Sequence, residues 1–194
     1  MTHDELYEKW CCGVGGFRMD PEAVEAWRRA MSGTFLARIN GGPILRAPNI
    51  VTNEGLDAVL SVHFAAGTQI STWYLAASKT NTAASAAMTY DTPLFTEIAG
   101  SDVSESTRTV WTPGAVSSAS VTNNASRGQY TAATGLTLYS AAMVGGGTAP
   151  STIADTAGGG TMHSYGLFTG GSRTLVATDV IELAYELGSA DDGV

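Results

Sequence analysis

A large apolar side chain at every second position of Val180–Leu187 constrains the fold of this chain more than any other feature. Ile181, Leu183, Tyr185 and Leu187 would lie on one side of an extended chain, because successive side chains in a strand point to opposite faces. Helical spacing would instead scatter these four side chains around a cylinder. The segment is therefore predicted to be a strand with one buried and one solvated face.

The two segments that precede it also have strand character. Arg173–Ala177 and Met162–Phe168 are predicted strands joined by the Gly170-Gly171 turn, where glycine supplies the positive φ that tight hairpins need. The C-terminal third is thus predicted to be a β-meander. Because one face of this meander is apolar, the rest of the chain must supply a second layer to cover it.

A chain of 194 residues is long enough for one domain with a sizeable core and an extension. The two cysteines, Cys11 and Cys12, are neighbours in sequence, and neighbouring cysteines rarely bridge each other because the ring is strained. Two free thiols fit synthesis in a reducing cytoplasm. The sequence has neither a recognisable export signal nor an apolar run of the roughly 18 residues that a membrane span needs, so we expect no membrane partner.

Charge is sparse and unevenly distributed. Residues 1–46 carry equal numbers of acidic and basic side chains, so the whole net charge of −8 falls on the remainder of the chain. An acidic body repels nucleic acid, and we expect no nucleic-acid partner. The composition, rich in small residues and turn formers, is typical of short strands rather than of a disordered chain.

Residues 1–46 are predicted to form an N-terminal extension or arm that contains an amphipathic helix at about residues 20–32. Asp20 is placed to cap this helix, Pro21 suits its first position, and Gly33 follows its end. Its narrow apolar stripe consists of Val24, Trp27 and Met31. Two partners remain for this stripe: a neighbouring subunit and the domain of the same chain. The candidate protein-interface residues are Trp10, Val24, Trp27, Arg28, Arg29 and Met31.

Residues 47–194 are predicted to form a mainly β body, an antiparallel sandwich or jelly-roll-like domain. Short segments of strand composition follow one another with turn residues between them. Pro48 confines the segment around it to a sheet edge or a linker. The predicted extended segments before the C-terminal third are Phe35–Ile39, Ile44–Val51, Ile70–Ala77, Ser106–Trp111, Ala115–Val121, Arg127–Ala132 and Leu136–Val144.

One helix, at about residues 53–65, is predicted to pack on this body. Thr52 or Asn53 is placed to cap it, and Gly67 is placed to end it. The apolar residues that recur at helical spacing are Leu56, Val59, Leu60 and Phe64.

The sequence has no recognisable catalytic, cofactor or metal motif. Nucleophile-elbow, phosphate-loop and dinucleotide patterns are absent, and His3, His63 and His163 lie in unrelated segments. Side chains in two other groups are predicted to have ordinary structural roles: the strand tryptophans as core residues and the acids of the polar central section as solvated surface groups. The tryptophans are Trp73 and Trp111, and the acids are Asp91, Glu97, Asp102 and Glu105. We therefore expect no cofactor and no enzymatic activity.

Seven stretches are similar, in order and spacing, to small structural proteins of tailed bacteriophages. They cover about residues 49–187, and their order carries the resemblance, since no single motif is chemically diagnostic. The stretches are Asn49–Leu56, Ile70–Leu75, Ser106–Gly114, Val121–Ala125, Tyr139–Met143, Tyr165–Phe168 and Asp179–Leu187. The group that they resemble comprises head decoration, or cement, proteins, which are β-sandwich modules that sit on the capsid lattice.

The resemblance implies a virion structural protein that binds the outside of the major capsid lattice and stabilises the shell. It also implies contact with the major capsid protein, self-association as a dimer or trimer, and a location on the capsid surface. Three alternatives remain. The first is a tail, neck or fibre-attachment module, and the second is a host-glycan-binding module with Trp73 or Trp111 as a stacking platform. The third is an enzyme with a carboxylate pair assembled by the fold.

Overall fold

A computed structural model describes residues 31–189 of the chain, which form strands and one helix. The elements, in chain order, are β1 (Met31–Ile39), β2 (Leu45–Pro48), β3 (Ile50–Val51), α1 (Asn53–Phe64), β4 (Trp73–Ser78), β5 (Thr109–Trp111), β6 (Ser120–Thr122), β7 (Gly128–Thr131), β8 (Leu136–Leu138), β9 (Ser140–Gly146), β10 (Gly160–Leu167), β11 (Arg173–Leu175) and β12 (Val180–Ser189).

Strand β12, which contains the alternating segment, is the centre of the first sheet. It pairs with β1 on one side, from Ile181 opposite Ile39 to Ser189 opposite Met31. On its other side it pairs with β7 along its first half and with β6 along its second half. Strand β2 pairs with β1 and forms the edge, which is where Pro48 was predicted to place it.

The second sheet has the order β3-β10-β9-β4-β5, and β8 and β11 form a separate two-stranded sheet. The predicted β-meander is wrong, because β10, β11 and β12 each join a different sheet. Strand β10 pairs along its length with β9, and β12 pairs with β1, so non-local partners replace the expected hairpin neighbours. The single strand expected over Leu136–Val144 is likewise divided at Tyr139, whose N–H bonds to the carbonyl of Ser78.

The two large sheets pack face to face, and the fold is an antiparallel β-sandwich with one packed helix, as predicted. Side chains of both sheets share one core cluster, in which β1 and β12 meet β4 and β9. Aromatic residues are its largest members: Tyr185 stacks on Phe35 at 4.4 Å between ring centroids, and Tyr130 donates a hydrogen bond to the carbonyl of Leu75 at 2.6 Å. This pairing of apolar area with satisfied hydroxyl groups makes the interior rigid.

The long connection between β4 and β5 covers the outer face of the second sheet. Met88 and Tyr90 of this connection are fully buried, and Phe95 stacks on Tyr165 of β10 at 4.8 Å. Together with residues of β9 and β10 they form a second core cluster. Both faces of β9 are therefore covered, which explains why its residues 140–145 are buried without alternation.

The predicted boundary between an arm and the body at residues 46 and 47 is wrong for residues 31–46. These residues form β1 and β2, and Phe35 and Ala37 lie fully buried in the core between the sheets. The predicted helix at residues 20–32 also extends too far, since Met31 and Ser32 pair with β12 as strand residues. Residues 1–30, which include the rest of that helix, lie outside the described residues.

Helix α1 begins where the sequence predicts. Thr52 is the N-cap, and its hydroxyl accepts a hydrogen bond from the N–H of Gly55 at 3.0 Å. Gly55 packs so tightly on the backbone of His163 that a Cβ there would overlap it. The expected apolar stripe fails at its end, because Phe64 is 68 % exposed.

Glu54 in the first turn of α1 ties the helix to the two elements beneath it. Its carboxylate accepts hydrogen bonds from the backbone N–H groups of Tyr90 at 2.8 Å and Met162 at 2.6 Å. We expect Glu54→Ala to lower the free energy of unfolding by about 2 kcal/mol, because two half-buried donors lose their acceptor. Urea denaturation measures this loss. Asp57→Ala, which removes an exposed carboxylate from the same helix, is the matched control and should change stability by less than about 0.5 kcal/mol.

Candidate functional site

Five of the six predicted interface residues lie outside the described residues: Trp10, Val24, Trp27, Arg28 and Arg29. The sixth, Met31, is the first residue of β1 and pairs with Ser189. Its placement on a helical stripe is therefore wrong, because β12 supplies it with a strand partner. Contact of the other five with a neighbouring subunit stays a prediction.

The structure places a buried polar cluster where the sequence predicted solvated acids. Glu97 is only 8 % exposed and pairs with Arg108, which is 4 % exposed, so the prediction of a surface carboxylate is wrong for Glu97. Asp102 accepts hydrogen bonds from Lys79 and from the backbone of Ala99, and the carboxylate of Glu105 accepts one from the backbone of Thr131. Asp91 is exposed, as expected.

All five N–H donors of Arg108 are engaged. Nε and Nη2 donate to the two carboxylate oxygens of Glu97, at 2.9 and 2.7 Å. Nη1 donates to the Tyr90 hydroxyl at 3.1 Å and to the carbonyl of Pro150 at 2.9 Å, and Nη2 also donates to the carbonyl of Asp155 at 2.8 Å. The guanidinium thus ties two long connections, β4–β5 and β9–β10, to each other. It has no donor left for a ligand.

The electrostatics of the cluster follow from burial. Burial raises the pKa of Glu97, and the hydrogen bonds and charge of Arg108 act in the opposite direction. Burial and the hydrogen bond to Asp155 raise the pKa of the Tyr90 hydroxyl to about 12. A small cavity of about 210 Å³ lies beside these groups, but its charged side chains already have partners. Arg108 donates to Glu97, and the carboxylate of Asp155 accepts from the Tyr90 hydroxyl. The cluster therefore holds the β4–β5 and β9–β10 connections in fixed positions.

The two histidines among residues 31–189 have different environments. His63 is exposed on α1, as expected, whereas His163 is fully buried in β10. The rings of Trp73 and Tyr185 lie edge-on to His163, at centroid distances of 5.6 and 6.2 Å. Burial lowers the pKa of His163 to about 4, so its imidazole is neutral at physiological pH. Among residues 31–189, no three His, Cys, Asp or Glu side chains lie close enough together to share a metal ion.

The strand tryptophans pack against the core, as predicted. Trp73 and Trp111 face each other on β4 and β5, both half-buried, and the indole N–H of Trp111 donates to the carbonyl of Tyr185 at 3.2 Å. Trp73 also lines a surface groove of about 710 Å³ between the second half of α1 and the ends of β4, β9 and β10. Residues 68–74, which lead from α1 into β4, form one side of this groove.

No protein-family model, no curated protein and no solved structure matches this chain. The similarity to decoration proteins, which was inferred from seven stretches of residues 49–187, therefore stays a prediction. Within residues 31–189, no helix is long and apolar enough to cross a membrane.

Large apolar side chains are exposed at several separate places on the body. They lie on α1, on strand β5 and in connecting segments. They are Ile44, Phe64, Leu94, Val110, Val116 and Val176. Single exposed apolar side chains are ordinary on protein surfaces and do not by themselves mark an interface.

Sequence reasoning missed the Glu97–Arg108 pair and the groove. Glu97 and Arg108 lie in a segment whose sequence shows no periodicity. The one sequence signal for the pair is that Arg108 is among the few basic residues of an acidic body and directly precedes a strand. The groove could not be inferred, because its walls come from α1, β4, β9 and β10, which are far apart in sequence.

Proposed function

We propose that this chain is a structural protein of a tailed-bacteriophage virion, a capsid decoration protein that binds the outside of the major capsid lattice and stabilises the shell. The observation that carries the proposal is that the seven stretches similar to decoration proteins supply the frame of the sandwich. They contain the N-cap of α1, the paired tryptophans, the buried Arg108 and the central strand β12. The similar stretches therefore include residues that stabilise the sandwich, rather than exposed residues alone.

The construction of the body supports a mechanical role. Two facing sheets, a loop layer over the second sheet and a buried ion pair that ties two connections together give a stiff module. A shell protein needs stiffness and several modest contacts, since repeated contacts around a closed lattice add up even when each is weak. The separately exposed apolar side chains are suited to contacts of that kind.

Copy number in purified virions tests the position of the protein. A decoration protein should approach the major capsid protein in abundance, as measured by quantitative mass spectrometry of intact particles. A tail, neck or fibre-attachment module should be far scarcer, and such a ratio would overturn the assignment to the shell. Absence from the particles would overturn the proposal entirely.

Removal of residues 1–30 tests the predicted arm. The deletion must end at Ala30, because residues 31–46 form β1 and β2 and their loss would remove the main partner of β12. We expect the shortened chain to fold and its affinity for purified shells to fall by at least about tenfold, since the loss of Val24 and Trp27 removes an apolar anchor. Occupancy on shells that lack the protein, measured in a co-sedimentation titration, gives the result.

Point variants make the same test sharper. Val24→Ala combined with Trp27→Ala should reproduce most of the loss, whereas Glu22→Ala in the same segment should not. Equal occupancy for the full and shortened chains would refute the arm and leave the body as the binding unit.

A further inference from the structure

The groove beside α1 has a mixed lining of apolar, hydroxyl and amide side chains, together with the imidazole of His63. Its lining comes from the second half of α1, from residues 68–74, and from the ends of β9 and β10 and their connection. None of the lining residues is Asp, Glu, Lys or Arg, although 14 % of the chain is charged. The hydroxyl and amide side chains that line it are Ser61, Thr68, Gln69, Ser71, Thr72, Tyr74 and Thr161.

This lining selects a class of ligand. Phosphates and nucleic acids need cationic partners, which the groove lacks. A purely apolar segment would leave the hydroxyl and amide groups without hydrogen bonds, which is costly on burial. A neutral molecule that carries many hydroxyl groups meets both conditions, and a volume of about 710 Å³ is that of an ordinary small-molecule site.

Trp73 gives the groove a rigid aromatic wall. Its indole packs on the backbone of β9 at Gly145, where a Cβ would lie 2.8 Å from the Cε3 atom, and the His163 ring lies edge-on to it. An aromatic face is electron-rich and attracts the C–H groups on one face of a sugar ring. Because the indole is already fixed by packing, stacking costs little side-chain entropy.

Glycines line the part of the groove that is formed by the end of β9 and the β9–β10 connection. Gly146, Gly147 and Gly159 have φ angles of +66°, +74° and +68°, which other residues rarely adopt. A Cβ at Gly159 would meet nothing within 4 Å, so this position borders open space. The backbone at this wall is therefore accessible to a ligand.

We propose that the groove beside α1 binds neutral oligosaccharides, with Trp73 stacking on a sugar ring and the side chains of Thr68, Gln69 and Ser71 hydrogen-bonding its hydroxyl groups. This proposal does not depend on the proposed role in the capsid. None of the residues that line the groove belongs to the arm or to the exposed large apolar side chains. A saccharide site would give the protein a second role, the binding of neutral glycans.

Titration calorimetry of the full chain with maltohexaose, cellohexaose, laminarihexaose and chitohexaose tests the proposal. We expect saturable binding of at least one of the four. Ser71→Arg should abolish it by placing a long side chain in the groove, and Trp73→Ala should weaken it about tenfold. Ser172→Arg, an equivalent change at an exposed serine between β10 and β11, is the matched control and should leave binding unchanged.

Three outcomes would overturn the proposal. The first is no binding of any of the four saccharides at millimolar concentration. The second is equal affinity for the Ser71→Arg and Ser172→Arg variants, which would place binding elsewhere. The third is that a synthetic peptide of residues 17–30 binds in a Ser71-dependent manner while the saccharides do not, which would make the groove a docking site for the arm. The Ser71→Arg change lies at the surface, so its result does not depend on a perturbed core.

Discussion

Arg108→Ala is expected to lower the free energy of unfolding by about 3–5 kcal/mol, the range for breaking a buried ion pair by removal of one partner. The substitution leaves the Glu97 carboxylate buried without its cation. It also removes donors from the Tyr90 hydroxyl and from the carbonyls of Pro150 and Asp155. Since whole domains are stable by only about 5–15 kcal/mol, urea denaturation should show a large shift of the midpoint.

Two comparisons identify the cause. Lys79→Ala breaks the Lys79–Asp102 pair, whose side chains are 34 % and 18 % exposed, and should cost no more than about 1 kcal/mol. A double variant, Glu97→Met with Arg108→Met, removes both charges and should recover part of the loss, because apolar replacement of a buried pair is often neutral. If Arg108→Ala costs no more than Lys79→Ala, the cluster does not hold the two connections.

The sequence predicted the elements whose signals are local. β12 was found because its alternation has a direct cause: Ile181, Leu183 and Tyr185 are buried in the core. The other face is solvated only in part, since Glu186 is exposed but Ala184 is fully buried. The N-cap of α1 was found because a hydroxyl before a helix satisfies a free N–H group within the same turn. Each of these signals depends only on residues that are neighbours in the sequence.

Strand pairing and the buried loop layer could not be predicted in this way. The successive strands β10, β11 and β12 form pairs in three sheets, and nothing in a strand's own sequence identifies a non-local partner. The β4–β5 connection has the composition of a surface loop, yet Met88 and Tyr90 are fully buried because the second sheet offers an apolar outer face. Composition averages over the segment and conceals these two residues.

Acidification is expected to destabilise the protein through His163. The pKa of this histidine is lowered from its usual value of 6.5 to about 4 by complete burial, so the unfolded chain binds a proton that the folded chain does not bind between these pH values. Stability is fully present above pH 6.5 and falls as the pH decreases toward 4. The loss should reach about 3 kcal/mol, as each pKa unit corresponds to about 1.4 kcal/mol.

A pair of histidine variants separates this effect from the titration of carboxylates. His163→Phe keeps a ring beside Trp73 and Tyr185 but cannot take up a proton, so its stability should fall much less between pH 6.5 and 4 than that of the unaltered chain. His63→Phe, at an exposed position on α1, should keep the full pH dependence. Urea denaturation at a series of pH values gives the slopes. Parallel slopes for the unaltered chain and His163→Phe would mean that His163 takes up its proton in the folded state at its ordinary pKa, and that the acid sensitivity arises from the carboxylates instead.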